Sequence, residues 1–221
     1  MTDKSPKGTV DTPIIPLLDV INRHRDYFTT SSCSGRISIL SQPAHRTTKK
    51  KASGGAWLYI SHDPADADTV LDLVFRSGPT PNSPELRDDP NDVVFRFEPL
   101  IVAVECRDVA AAQLLVSKAI AAGFRESGIT NSNKRVIIAI RCSIRLEVPL
   151  GSSREIMVSR EYLRFLVGVA NEKFEANRKR TDAFLEALMS ESGGFVAVAD
   201  GVKDENALSG KCVELLMSLN C

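Results

Sequence analysis

The chain has 221 residues, 43% of them hydrophobic and 25% charged, with 28 basic and 28 acidic side chains. These values predict a soluble globular protein with an ample core. The formal charge of zero argues against a general nucleic-acid coat and leaves room for a local basic patch. The opening residues, MTDKSPKGTVDTP, lack the apolar core of a secretory signal, and no apolar run reaches membrane-spanning length. A cytoplasmic protein is expected. Five cysteines (Cys33, Cys106, Cys142, Cys212, Cys221) are odd in number and scattered without a CxxC pair, and His24, His45 and His62 do not pair with them at zinc-like spacing. Reduced thiols and no metal are the expectation.

In chain order, residues 1–13 read as a lead-in. Ile14 to Arg25 reads as a helix with Ile14, Leu17, Leu18 and Ile21 on one face. The stretch Tyr27 to Arg36, YFTTSSCSGR, packs five hydroxyl residues, a thiol, a glycine and an arginine together. Short hydroxyl side chains compete for backbone hydrogen bonds, so the run reads as a turn: either an anion-binding one with Arg36 as a two-pronged partner, or a plain helix-to-strand connector. Arg36 to Leu40 then reads as a strand. The loop 41–55 carries the basic cluster of Arg46, Lys49, Lys50 and Lys51, and Ala56 to Ser61 is a second strand ending at His62 and Asp63.

Asp63-Pro64 reads as an N-cap with proline at the first helical position, opening a helix to about Phe75. The four prolines between 77 and 92 impose a loop. Val93 to Phe97 and Leu100 to Glu105 read as two strands. Asp108 caps a helix that places Ala111, Leu114, Leu115, Ala119 and Ala122 inward and stops at Gly123. Strands follow at Phe124 to Thr130, Arg135 to Ile140 and Leu146 to Val148, with Asn131-Ser132-Asn133 as the hairpin turn of the first two. A long helix opens at Ser159, with Tyr162, Phe165, Leu166, Val169, Phe174, Phe184, Leu185 and Leu188 at helical spacing and a second basic cluster at Lys173, Arg178, Lys179 and Arg180. One domain over 1–189 is expected, with 190–221 as a tail holding a short helix near Leu208 to Leu219.

Strands and helices alternate loosely, yet the glycine-rich turn of a dinucleotide fold and the GxxxxGK[ST] loop are both missing. Ser32, His62 and Asp63 supply the residue types of a hydrolase triad, and Cys33 with His62 those of a thiol pair, but no GxSxG elbow accompanies them. His62 reads equally as a working group at a strand end or as a capping residue. Trp57 and Tyr59 fall on one side of their strand, where Trp57 serves either the core or a stacked base. Ser127-Gly128 repeats the hydroxyl-plus-glycine chemistry, and Arg141 and Arg145 are awkward near strands unless they meet a ligand or a carboxylate such as Glu147.

Taken together, six pieces in this order resemble the tRNA wybutosine-synthesising protein 3 family: YFTTSSCSGRI, WLYISH, FRFEPLIVAVECR, GFRESGIT, IAIRCSIRLEVPL and VSREYLRFLVGVANEKFEANRKR. The resemblance covers residues 3–186. It implies an α+β fold with a mixed sheet flanked by helices, not the Rossmann-type methyltransferase fold. It further implies S-adenosylmethionine-dependent N4-methylation of a 4-demethylwyosine-type base at position 37 of phenylalanine tRNA, beside the anticodon. A non-catalytic tRNA-binding scaffold is the alternative. The family usually carries a helical, charged stretch ahead of the segment matched by residues 3–8. In plants the domain is joined to other enzymes of the pathway, which are candidate partners.

On this resemblance Ser31, Ser32, Cys33, Gly35, Arg36, Ser127 and Gly128 are expected around the cofactor. His62, Ser32 and Arg36 are the catalytic candidates. Trp57, Arg141, Lys49, Lys50, Arg178 and Lys179 are expected to meet the tRNA.

Overall fold

The computed structural model describes residues 11–43, 55–76 and 91–190. Lys49, Lys50, the proline-rich loop and the helix expected near 208–219 lie outside them. The elements are a short 3-10 turn (Thr12–Ile14), α1 (Ile15–Arg23), β1 (Tyr27–Pro43), β2 (Ala56–Ser61), α2 (Ala67–Arg76), β3 (Asn91–Cys106), α3 (Val109–Ala121), β4 (Gly128–Asn131), β5 (Val136–Ile140), β6 (Leu146–Ser152) and α4 (Arg160–Met189). The α+β expectation holds. The strands form a six-stranded sheet, and the pairings β1–β2, β3–β5, β3–β6 and β4–β5 are all antiparallel, which sharpens the mixed sheet implied by the resemblance.

The described residues divide into two compact units, 11–34, 100–143 and 178–190 in the first and 35–43, 55–76, 91–99 and 144–177 in the second. In the first, α1 buries Leu17, Leu18 and Ile21. Asp108 caps α3 by accepting the Ala111 N–H at 2.8 Å, as its sequence context required. Helix α3 ends where Gly123 adopts φ 100°, a left-handed stop that a side chain resists. Phe124 and Phe184 meet edge-to-face at 5.8 Å in the core. Leu114, expected inward, is exposed, because Ala111, Ala112, Leu115 and Ala119 already form the buried stripe of α3.

In the second unit β1 presents Ile37 and Ile39, β3 presents Phe95 and Phe97 and β6 presents Leu150 to one cluster, with Tyr59 of β2 packed against it, closed by Val70 and Leu71 of α2 and by Leu163, Val167 and Phe174 of α4. Phe97 and Phe174 pack edge-to-face at 5.9 Å. Helix α2 starts later than expected. Asp66, not Asp63, supplies the cap, accepting the backbone N–H and the hydroxyl of Thr69 at 2.8 Å each. Ser159 caps α4 as expected, accepting the Tyr162 N–H at 3.2 Å. Tyr162 and Phe165, two of the residues read at helical spacing, are exposed and lie side by side. Leu163 and Leu166 occupy the buried stripe instead.

The largest departure is the hydroxyl run. It is not a turn but the first half of β1, a single strand of 17 residues. Threonine is β-branched and suits a pleated surface, and its hydroxyl finds a cross-strand partner here: Thr30 Oγ1 donates to the Ala103 carbonyl at 3.3 Å. The strands expected at 93–97 and 100–105 likewise merge into β3, which runs through Pro99 without a break.

Candidate active site

Within the second unit, side chains on β1 alternate between two faces. Ile37 and Ile39 enter the core. Arg36, Ser38 and Leu40 therefore take the opposite face. The register between β1 and β2 slips between Ile39 and Leu40, so Ile39 pairs with Tyr59 and Leu40 with Trp57. This bulge corrects the expectation that Trp57 and Tyr59 share a side. Tyr59 packs against the core, whereas Trp57 is exposed and turned to the Arg36 face.

The Arg36 guanidinium sits over the Trp57 ring, 4.7 Å from its centroid, and its Nε donates to Glu98 at 2.6 Å. One partner fixes the in-plane direction of the fork and the other fixes its plane. The strand β3 contributes the alternation Phe95 and Phe97 inward, Arg96 and Glu98 outward. Arg96 donates to Gln42 at 3.1 Å and to Glu147 at 3.0 Å. Glu147, expected beside Arg141 or Arg145, is thus the partner of Arg96.

Sequence reasoning passes over Arg96, Glu98 and Ser38 as site residues, although the FRFEP segment carries its period-2 alternation openly. Two buried polar atoms of these residues have no hydrogen-bond partner, Ser38 Oγ and Arg96 Nε.

His62 follows β2, and its Nδ1 lies 3.1 Å from the Gly35 carbonyl. A carbonyl only accepts, so in this contact Nδ1 carries the proton and donates. Gly35 holds φ 105°, a backbone state that glycine tolerates and side chains resist. Asp63 is exposed, and its N–H is taken by Ser61 Oγ at 3.1 Å.

In the first unit the hydroxyl run does bind an anion, but the anion is the chain's own Asp11. Its Oδ2 accepts the Ser34 N–H at 2.8 Å and the Ser34 hydroxyl at 3.0 Å. Ser31 is buried, while Ser32 and Cys33 are half-buried. Ser127 and Arg141 are brought together, since Ser127 Oγ accepts the Arg141 N–H at 3.2 Å. Beside them Gly128 has only open space where a Cβ would stand. Neither its packing nor a left-handed backbone conformation demands a glycine there. Arg178 and Lys179 are exposed on α4.

Among the described residues, an antiparallel sheet with four helices and no glycine-rich nucleotide turn defines an α+β protein outside the Rossmann class. Residues 1–190 match the family described as Methyltransferase TYW3, and the chain belongs to that family. It is 64% identical to tRNA wybutosine-synthesizing protein 2/3/4 of Arabidopsis thaliana over 93% of this chain and 21% of that protein. It is 39% identical to the tRNA wybutosine-synthesizing protein 3 homolog of Xenopus laevis, over 94% of this chain and 78% of that one. The chain thus spans about a fifth of the plant relatives it matches. Among solved structures, the PH1069 protein of Pyrococcus horikoshii aligns with a TM-score of 0.68 at 32% identity, covering 81% of this chain and 86% of that one. Among the described residues no helix is long and apolar enough to cross a membrane.

Proposed function

We propose that this chain is a tRNA methyltransferase of wybutosine biosynthesis, transferring a methyl group from S-adenosylmethionine to N4 of the 4-demethylwyosine-type base at position 37 of phenylalanine tRNA. Membership of the methyltransferase family supports the reaction class. The observation that carries the reading to a site is the Arg36 guanidinium held between Trp57 and Glu98.

When bound, S-adenosylmethionine supplies an electrophilic methyl group on a sulfonium. The chain's own residues have three tasks: to hold the two reactants, to align them and to take a proton. Arg36, kept in one plane by Trp57, receives a carboxylate or a phosphate. The exposed indole of Trp57 offers a stacking wall for a planar base. Ser32, Cys33, Ser127 and Gly128 are the residues assigned to the cofactor, and Arg141, Arg178 and Lys179 those assigned to tRNA phosphates. N4 gains the methyl group and loses its proton. His62, whose ring is oriented by the Gly35 carbonyl, is assigned to accept that proton. The reaction belongs in the cytoplasm, with the anticodon loop as substrate and other enzymes of the pathway as neighbours.

The test uses the full chain, labelled S-adenosylmethionine and phenylalanine tRNA from cells arrested at the demethylated intermediate, with nucleosides read by mass spectrometry. One methyl gained on that base supports the proposal. Donor binding absent by calorimetry, with tRNA still bound, would instead support a non-catalytic scaffold.

A further inference from the structure

Three turns meet at one end of the first unit. The α1–β1 turn (residues 24–26) is tied to the end of β3, where the Arg107 N–H donates to the Asp26 carbonyl at 2.8 Å. The β4–β5 hairpin joins them because Cys106 at the end of β3 pairs with Val136, and Arg135 bonds Glu105 at 3.1 Å. Between them lies a cleft of about 400 Å³ lined by four cations, Arg25, Arg107, Lys134 and Arg135, against two carboxylates, Asp26 and Glu105.

The carboxylates serve to aim the cations more than to cancel them. Asp26 holds Arg107 at 2.6 Å and lies 3.7 Å from Arg25, and Asp108 takes Arg107 at 2.9 Å, yet the Arg107 side chain stays 53% exposed and that of Arg25 79% exposed. Lys134 is exposed as well. In the same wall stands Phe28. Tyr27 points inward, its hydroxyl donating to the Ala111 carbonyl, so the next residue on the strand is forced outward. Phe28 is accordingly 52% exposed, a large aromatic ring among arginines.

We infer that this cleft is an RNA-binding surface, with Arg25, Lys134 and Arg135 following the phosphate backbone and Phe28 stacking on an unpaired base. A row of cations answers a polyanion, and the solvent-facing aromatic ring among them answers the π-face of a nucleobase. The inference rests on the reading of the chain as a tRNA enzyme and adds Arg25, Lys134 and Arg135, which neither the hydroxyl run nor the Arg36 site contains, together with the ring of Phe28.

The test is fluorescence anisotropy of the full chain with unmodified phenylalanine tRNA transcript, titrated at several salt concentrations. Replacing Arg25 and Lys134 together by alanine should weaken binding about tenfold and lower the log–log salt slope by about 2, one for each phosphate no longer neutralised. Phe28→Ala should weaken binding about fivefold or more with the slope unchanged, while Phe28→Tyr, which keeps a ring, binds as the wild type does. Melting curves of all variants should match the wild type, since every changed side chain is exposed. Variants that bind tRNA like the wild type overturn this inference and leave the proposed function standing. A wild-type chain that binds no tRNA overturns both.

Discussion

Strand β1 carries two different loads on either side of Gly35. Before the glycine, the strand spends its polar groups internally: Ser34 on Asp11 and Thr30 on the Ala103 carbonyl, with Tyr27 anchored to Ala111. After it, Ile37 and Ile39 are fully buried, and Arg36 turns to Trp57 and Glu98. The segment richest in chemistry by composition therefore spends much of it on the fold, and the proposed Arg36 site sits on the sparser half. Density of hydroxyls is a poor guide to a site when the backbone and a nearby carboxylate can use them.

The strongest way to break the contrast is to empty the core behind the second half. Phe97→Ala removes a fully buried ring and its edge-to-face partner. It should cost about 3–5 kcal/mol, a fall of about 10 °C in melting temperature for a chain of this size. Gly35→Ala comes next. A side chain at φ 105° strains the backbone by about 1–3 kcal/mol and moves the carbonyl that orients His62, so methyl transfer should fall more than stability does. Ser34→Ala deprives the buried Asp11 carboxylate of its hydroxyl donor, with about 1–3 kcal/mol expected by denaturant unfolding.

The smallest effect is an alkaline one confined to the first unit. Burial pushes the Tyr27 phenol and the Cys106 thiol up to about 12 from ordinary values of 10.0 and 9.0, with Cys106 adding to the rise at Tyr27 and Asp108 to that at Cys106. Both folded values lie above the unfolded ones. Their contribution is therefore fully present below the thiol's ordinary value and is lost as the pH rises toward about 12. Urea midpoints should decline across that window, and Tyr27→Phe should flatten the decline.

Much of the fold is legible where local rules and burial agree. Strand β2 lies at its expected residues, α3 has its Asp108 cap and Gly123 stop, and α4 opens at Ser159. The misses have particular causes. The hydroxyl run reads as a turn because its strand pairing is long-range. The cap of α2 moves to Asp66 because both Asp63 and Asp66 satisfy the same local signal. The side taken by Trp57 depends on a one-residue bulge, which reverses a strand's faces. At the site, Arg36, Trp57 and His62 can be named from sequence. Arg96, Glu98 and Ser38 cannot, since their roles exist only once β3 lies beside β1.

The most direct test of the account is Arg36→Ala, followed by kcat/KM for methyl transfer and by thermal melting on the same preparation. Because Arg36 is held in place by Glu98 and Trp57 on a sheet face and not in the core, the account predicts a loss of about hundredfold or more in turnover, equivalent to about 3 kcal/mol. The melting temperature should change by no more than a few degrees, as for a partly exposed ion pair. A variant that melts like the wild type and transfers methyl groups at the wild-type rate would contradict it.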